Sequence, residues 1–385
     1  MLTYRNFFRA LKKCNKTVNF KFSVQEYNAN CIFYITEAIR TMRKGIMPQP
    51  YGTKKTVIRE RGKEREITPI DIKDRVMRKV LCDEALIPSI CPHLIYDNGA
   101  SLKGKGVDFA RKRLNLFLEE AKKEYGVGNL YALTFDFKRY FENISHAQCR
   151  KVLAKYISDE RISDICTQNI ICYALKEAEN VADPQLRITE IEKIEHFEGK
   201  GICLGSQDSQ IMAVAVPNEL DHYIKDELGE RYYLRYMDDG IVLSGNKDHL
   251  FDLEEKIREK AAEYGLILHP DKTKITKLTN GVTFLKIRYR LEGDKTVKKL
   301  EPKGIARQRQ RLKRLKSKMN DGKISPDDVY MSMQSWNGHA KNAPHFGTEK
   351  TMFKLYDELY GGYRMTRRYY KEHPEIKRRK KATDR

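Results

Sequence analysis

The segment Tyr236-Met237-Asp238-Asp239-Gly240 sets two carboxylates side by side, with apolar chain on both sides, Tyr232–Tyr236 before and Ile241–Ser244 after. Neither anion can be buried without a compensating charge. An ordinary Asp-Gly turn is the bland explanation. The apolar flanks argue against it, because they put the pair at the tip of a buried ribbon. There a divalent cation is the usual remedy for clustered carboxylates. A third carboxylate, Asp136, ends the run Leu133-Thr134-Phe135, a hydrophobic strand where an acid is otherwise out of place. Two strands from distant parts of the chain can bring Asp136 beside Asp238. Two Mg²⁺ ions about 3.5–4 Å apart would then fit between them. One would acidify an attacking hydroxyl and the other would neutralise a triphosphate and its leaving group.

Such side chains need a rigid scaffold. Tyr131–Phe137 reads as a buried strand, and 232–244 reads as two strands joined by a turn at Asp238-Asp239-Gly240. Residues 208–228 read as one long helix, 248–264 as an amphipathic helix and Thr283–Tyr289 as a further strand. Upstream, the first ~55 residues look helical, with apolar positions at helical spacing in Ile32–Gly45. Lys54–Ile70 reads as strand, turn at Arg61-Gly62, strand. Residues 71–90, 105–124 and 147–180 read as helices, and the polar stretch 183–200 as an exposed hairpin. From about 303 the chain becomes strongly basic helices, beginning with Arg307–Arg314, and its tail carries Lys377–Lys381. The order suits an α+β fold with helices layered on a sheet.

The formal net charge of +21 on 385 residues points to a polyanionic partner, since Lys and Arg displace counterions condensed on phosphates. An apolar content of 40% is enough for a sizeable core and two or three structural units. No stretch approaches the ~20 apolar residues of a membrane helix, so no membrane partner is expected. The basic N-terminus lacks the apolar run of a secretory signal. Eight cysteines, none spaced as CxxC, read as reduced thiols of a cytoplasmic protein.

Asp-x-x-x-x-Phe at 136–141 followed by Tyr236–Gly240 resembles the palm of reverse transcriptases. The resemblance runs in order from about residue 55 to about 345. It implies a right-hand polymerase. Residues 1–125 would be an N-terminal helical region and fingers. Residues 126–300 would be a palm of antiparallel sheet plus helices, with a fingers insertion at about 147–200. Residues 301–385 would be a basic helical thumb and tail. It implies Asp136, Asp238 and Asp239 as the catalytic carboxylates, with metal held by these three and the Phe137 carbonyl. Phe141 matches the aromatic gate that would clash with a 2′-hydroxyl; a core aromatic is its bland alternative. Lys63 and Arg65 match fingers residues that hold the triphosphate. Asp74-Arg75 and Asp97–Gly106 resemble the following fingers segment, lying on template or phosphate.

Gly201–Gln210 matches the loop before the long palm helix, where Leu204, Gly205 and Gln210 would border the incoming nucleotide. Many members have Gln and Pro where this chain has Leu204 and Gln210. The form here is that of reverse transcriptases from diversity-generating retroelements, which misincorporate opposite adenine; some defence-associated bacterial enzymes also lack the usual form. Within a bacterial and phage, group II intron-like lineage, those two branches are nearest in motif. His269–Lys274 resembles the next palm motif, with Lys272 or Lys274 placed to protonate departing pyrophosphate. Val282–Ile287 resembles the primer grip, so Tyr236, Met237, Phe284, Leu285 and Lys286 would face primer and template. The family commonly has Gly where Lys286 stands. Ser335–Ala343 resembles a thumb segment, although Trp336 reads equally well as a core anchor.

The resemblance implies an RNA-directed DNA polymerase using two Mg²⁺ ions, with Mn²⁺ as a substitute. Its partners would be an RNA template, a DNA product strand and deoxynucleoside triphosphates, together with a structured non-coding RNA and an accessory protein. The template would be a specific non-coding or element RNA, as in a diversity-generating retroelement. Antiphage defence with a non-coding RNA is one alternative. A non-catalytic RNA-binding or maturase protein is another, and the intact aspartate set argues against it. No endonuclease or zinc module is evident after the thumb.

Overall fold

The structure is a computed structural model describing residues 1–16, 18–48, 56–60, 63–67, 69–344 and 346–365, without the side chains of 58–60, 63, 65, 66 and 173. It divides into two units, Met1–Ile275 and Thr276–Arg385.

In the first unit, Phe7, Ala10, Leu11 and Cys14 recur at helical spacing and form the buried stripe of α1 (Tyr4–Cys14). α2 (Phe22–Ala29), α3 (Cys31–Arg43) and the antiparallel hairpin β1 (Thr56–Glu60) and β2 (Lys63–Ile67) follow. α4 (Ile72–Leu81), capped by Asp71, packs on α1 and continues through a π-helical turn into α5 (Ile87–Ile90). α6 (Val107–Tyr125) leads to β3 (Tyr131–Asp136). Then come α7 (Tyr140–Asn143), α8 (His146–Tyr156), α9 (Glu160–Ala178), α10 (Pro184–Glu195), α11 (Gln207–Ala215) and α12 (Asn218–His222). The hairpin β4 (Tyr233–Tyr236) and β5 (Asp239–Ser244), helix α13 (Lys247–Glu263) and strand β6 (Lys274–Lys277) complete the series. The sheet order is β4-β5-β3-β6, and α6 and α13 pack on its strands. Leu133, Phe135, Tyr233 and Val242 join Leu250, Leu253 and Ile257 in one core. The architecture is α+β, as expected.

Three expectations are corrected. Residues 183–200 are not a hairpin but contain α10. Asp183 accepts from the Gln185 and Leu186 N–H groups, Pro184 takes the first helical position, and Ile194 and Ile191 bury against Ile171, Ala178 and Leu175 of α9. The long helix at 208–228 is broken at Pro217, which has no N–H to continue it, and ends in a π-helical turn, Tyr223–Glu227. Thr283–Tyr289 is not one strand, as the second unit shows.

That unit opens with a three-stranded antiparallel meander, β7 (Val282–Phe284), β8 (Ile287–Glu292) and β9 (Lys295–Leu300). The chain reverses at Leu285-Lys286, both in the left-handed region at φ 45° and 67°. An Asn-Gly pair usually marks such a turn; its absence hid this one inside an apolar run. Helices α14 (Pro302–Asn320), α15 (Pro326–Ala340) and α16 (Phe346–Tyr360) then gather Leu312, Val329, Met333, Met352 and Tyr356 into a small core. Trp336 packs on that core, which favours its reading as an anchor. Arg307, Arg309, Arg311, Lys313 and Arg314 line the exposed side of α14. The basic tail Lys377–Lys381 lies outside the described residues. No described helix is long and apolar enough to cross a membrane.

Candidate active site

Pairing of β3 with β5 sets Asp136 opposite Asp239 and Phe135 opposite Gly240. Between β4 and β5 the chain reverses at Met237-Asp238, one residue earlier than expected. Met237 is left-handed at φ 55°, and the Asp238 carbonyl accepts from the Phe137 N–H at 3.1 Å. The turn is thereby tied to the end of β3. Gly240 lies inside β5, and packing explains it better than turn geometry does. A Cβ there would meet the Phe135 ring at 2.2 Å.

Asp136 is held from its other side by the stretch after α13. Its carbonyl accepts from the His269 N–H at 2.7 Å, and the Lys138 N–H donates to Ile267 at 2.8 Å. The His269 carbonyl then accepts from Lys272 and Thr273, curling the chain back. Lys272 Nζ ends 2.6 Å from Asp136 Oδ1. Lys274 opens β6, so Lys272 is the lysine of this motif that reaches the carboxylates.

Burial, and then the charges of Asp238 and Asp136, push the Asp239 carboxyl up to about 7, while Lys272 acts in the opposite sense. Crowded carboxylates with one ammonium for compensation are a donor set suited to a hard divalent cation. Among the described residues no group of three or more His, Cys, Asp or Glu side chains is placed to hold a metal ion by itself. An open cluster still fits Mg²⁺, which binds through one or two carboxylates and completes its shell with water and substrate phosphates.

Phe141 is half-buried, edge-on to Tyr140 with ring centroids 5.8 Å apart. Its carbonyl accepts from Ile202 at 3.0 Å, and the Ile144 carbonyl accepts from Gly201 at 2.8 Å. The Tyr140 hydroxyl donates to the Ala213 carbonyl of α11. Phe141 and the loop carrying Leu204 and Gly205 are therefore stitched together. Gly205 is exposed at φ 127°, Leu204 is half-buried and Gln210 is exposed on α11. The segment 97–99 runs beside β4, with Gly99 N–H donating to the Arg235 carbonyl at 2.9 Å. Phe284 is buried, Leu285 half-buried and Lys286 exposed at the β7–β8 turn of the second unit. The side chains of Lys63 and Arg65 lie outside the described residues.

The reverse transcriptase (RNA-dependent DNA polymerase) family matches residues 52–289, more than half of the chain. This chain belongs to the reverse transcriptase family. Among solved structures it is similar to apo telomerase from Candida tropicalis truncated from its C-terminal domain, with 16% identity, a TM-score of 0.46, and coverage of 68% of this chain and 59% of that one. The structure of apo telomerase from the same organism gives 14% identity and a TM-score of 0.43, covering 87% and 67%. Telomerase from Candida albicans in complex with a fragment of telomeric RNA gives 10% identity and 0.42 over the same shares. This reverse transcriptase thus spans less than two thirds of the first of these chains. No curated protein matches it.

Two buried ion pairs of the reverse transcriptase escaped the sequence reading. Arg78 on α4 meets Asp208 on α11 at 2.6 Å, with Asn169 of α9 donating to the same carboxylate at 2.8 Å. This fixes the start of α11, just behind Gly205. Arg235 on β4 pairs with Asp221 on α12, both fully buried. For Arg235 the available signal was the one that exposed Asp136, a charge inside an apolar strand. Nothing in spacing named the partner.

Proposed function

We propose that this reverse transcriptase extends a primer 3′-hydroxyl with deoxynucleotides on an RNA template by two-metal phosphoryl transfer. The observation that carries the reading is the β3–β5 register, which sets Asp136 against Asp239 beside the Asp238 turn. Asp136, Asp238 and the Phe137 carbonyl would hold Mg²⁺, with Mn²⁺ as a substitute and Asp239 as the supporting carboxylate. Bound there, the ions supply an acidified attacking hydroxyl and a neutralised triphosphate. Lys272, with its ammonium on Asp136, keeps a proton within reach of the leaving pyrophosphate. Phe141 closes the floor against a 2′-hydroxyl, and Leu204, Gly205 and Gln210 border the new base pair. Lys63 and Arg65 take the triphosphate. Tyr236, Met237, Phe284, Leu285 and Lys286 serve primer and template. In this reading 1–125 supply the fingers, 126–300 the palm and 301–385 the thumb.

Leu204 and Gln210 favour a dedicated element RNA as template, in the manner of a diversity-generating retroelement; a defence enzyme working with a non-coding RNA is the alternative. Eight free cysteines suit a reducing compartment such as the cytoplasm. Primer extension on poly-rA with oligo-dT tests the chemistry. Asp238→Ala is expected to lose about 10³-fold or more, the scale of removing a main transition-state charge contact. Incorporation that survives this change sinks the assignment. Sequencing the RNA that co-purifies separates a template repeat from a structured non-coding RNA.

A further inference from the structure

Arg235 sits in the middle of an apolar strand, three residues before Asp238, with no exposed side-chain surface. Its Nε and Nη2 fork onto Asp221, at 2.7 Å to Oδ1 and 2.5 Å to Oδ2. The Tyr233 hydroxyl donates to the same Oδ1 at 2.7 Å. Nη2 also reaches the Val214 carbonyl of α11 at 2.9 Å, and Nη1 donates to the Met237 carbonyl at 2.9 Å. One guanidinium thus joins α11, α12 and the turn that presents Asp238.

We propose that Arg235, oriented by Asp221, is a positioning residue that holds the Met237–Asp238 turn in its metal-binding geometry. Met237 is a non-glycine residue in the left-handed region, a conformation that persists only where the surroundings over-determine it. The bond from Nη1 is such a constraint, and it acts on the peptide directly before Asp238. Stability alone is a poor explanation for the pair. A buried ion pair can often be replaced by apolar side chains without loss, whereas removing one partner orphans a charge. Lys in place of Arg would keep the charge but could not span Asp221 and the turn together, because it lacks the planar fork.

The inference rests on the reading of Asp238 as a metal ligand, and the test keeps the two apart. Three variants are compared with wild type: Arg235→Lys, Asp221→Asn, and the double change Arg235→Met with Asp221→Leu, which leaves no charge orphaned if a single variant fails to fold. A core variant on α13, Ile257→Val, controls for lost stability. Mn²⁺ binding to the free protein is followed by electron paramagnetic resonance. Primer extension gives kcat, the nucleotide KM and the half-saturating Mg²⁺ concentration. Mn²⁺ binding and kcat are expected to fall roughly 10- to 100-fold, as for residues that orient metal ligands. The nucleotide KM should move little, added Mg²⁺ should restore part of the rate, and Ile257→Val should leave the Mg²⁺ requirement unchanged. Variants that bind Mn²⁺ and respond to Mg²⁺ as wild type does would overturn the inference while leaving Asp238 a ligand. A wild type that neither binds Mn²⁺ nor extends a primer would overturn the metal reading, and this inference with it.

Discussion

In the proposed metal site a proton and a divalent cation would compete for Asp239. Its carboxyl is raised to about 7, first by burial and then by Asp238 and Asp136, whereas an unfolded chain releases that proton near 3.9. Between those values the folded state holds a proton that the unfolded state has lost. Metal-free protein should therefore lose stability as pH rises from about 4 to about 7 and level off above, and Mg²⁺ should remove that loss. Thermal melts with EDTA or Mg²⁺ at pH 5, 6, 7 and 8 measure it, and the half-saturating Mg²⁺ concentration for primer extension should fall as the pH approaches and passes 7. Asp239→Asn should flatten the EDTA series; an equally steep slope in that variant would locate the proton elsewhere. At this scale the sequence exposed the carboxylates because acids stand out in apolar strands. Lys272 was legible through its motif, though only the curl at His269 separates it from Lys274. Arg235 gave the same kind of signal, but its partner Asp221 lies on a helix that no spacing rule connects to β4.

Among elements, the tightest constraint is the cross-strand contact of Gly240 with Phe135. Gly240→Ala would drive a methyl group into a buried ring. It should destabilise the protein by about 1–3 kcal/mol, the usual range for overpacking, with urea unfolding as the measure. Phe135→Leu in the same chain should recover part of that loss. A neutral Gly240→Ala would mean that the sheet can part there at little expense. Helices α6 and α13 and strands β3, β4 and β5 were legible within a few residues, because periodicity and a turn or capping residue mark them. Residues 147–180, read as one helical stretch, are instead two helices, α8 and α9, parted at 157–159, where no Gly or Pro marks the break. α10 was misread because a polar surface outweighed the Asp183-Pro184 start. The break at Pro217 was hidden by the apolar continuity around it.

For the whole molecule, a charge of +21 makes nucleic-acid affinity a function of ionic strength. Anisotropy titrations of an RNA–DNA hybrid between 50 and 200 mM salt should show a steep loss. Replacing Arg309, Arg311 and Arg314 with Gln should lower the log–log slope by about 0.9 for each phosphate contact removed. An unchanged slope would assign those cations to solvent alone. A polyanionic partner was legible from composition. The division after Ile275 was not, since no Gly-, Ser- or Pro-rich linker marks it. The register that sets Asp136 against Asp239 also closes a loop of chain running from α7 to β4. Loop-closure entropy grows slowly, by only about 0.6 kcal/mol for each doubling of length. Chain can therefore be added near α9 and α10 with almost no effect on the pairing of the two strands. Variation in that enclosed stretch could give related enzymes different surfaces while the aspartates keep the same register.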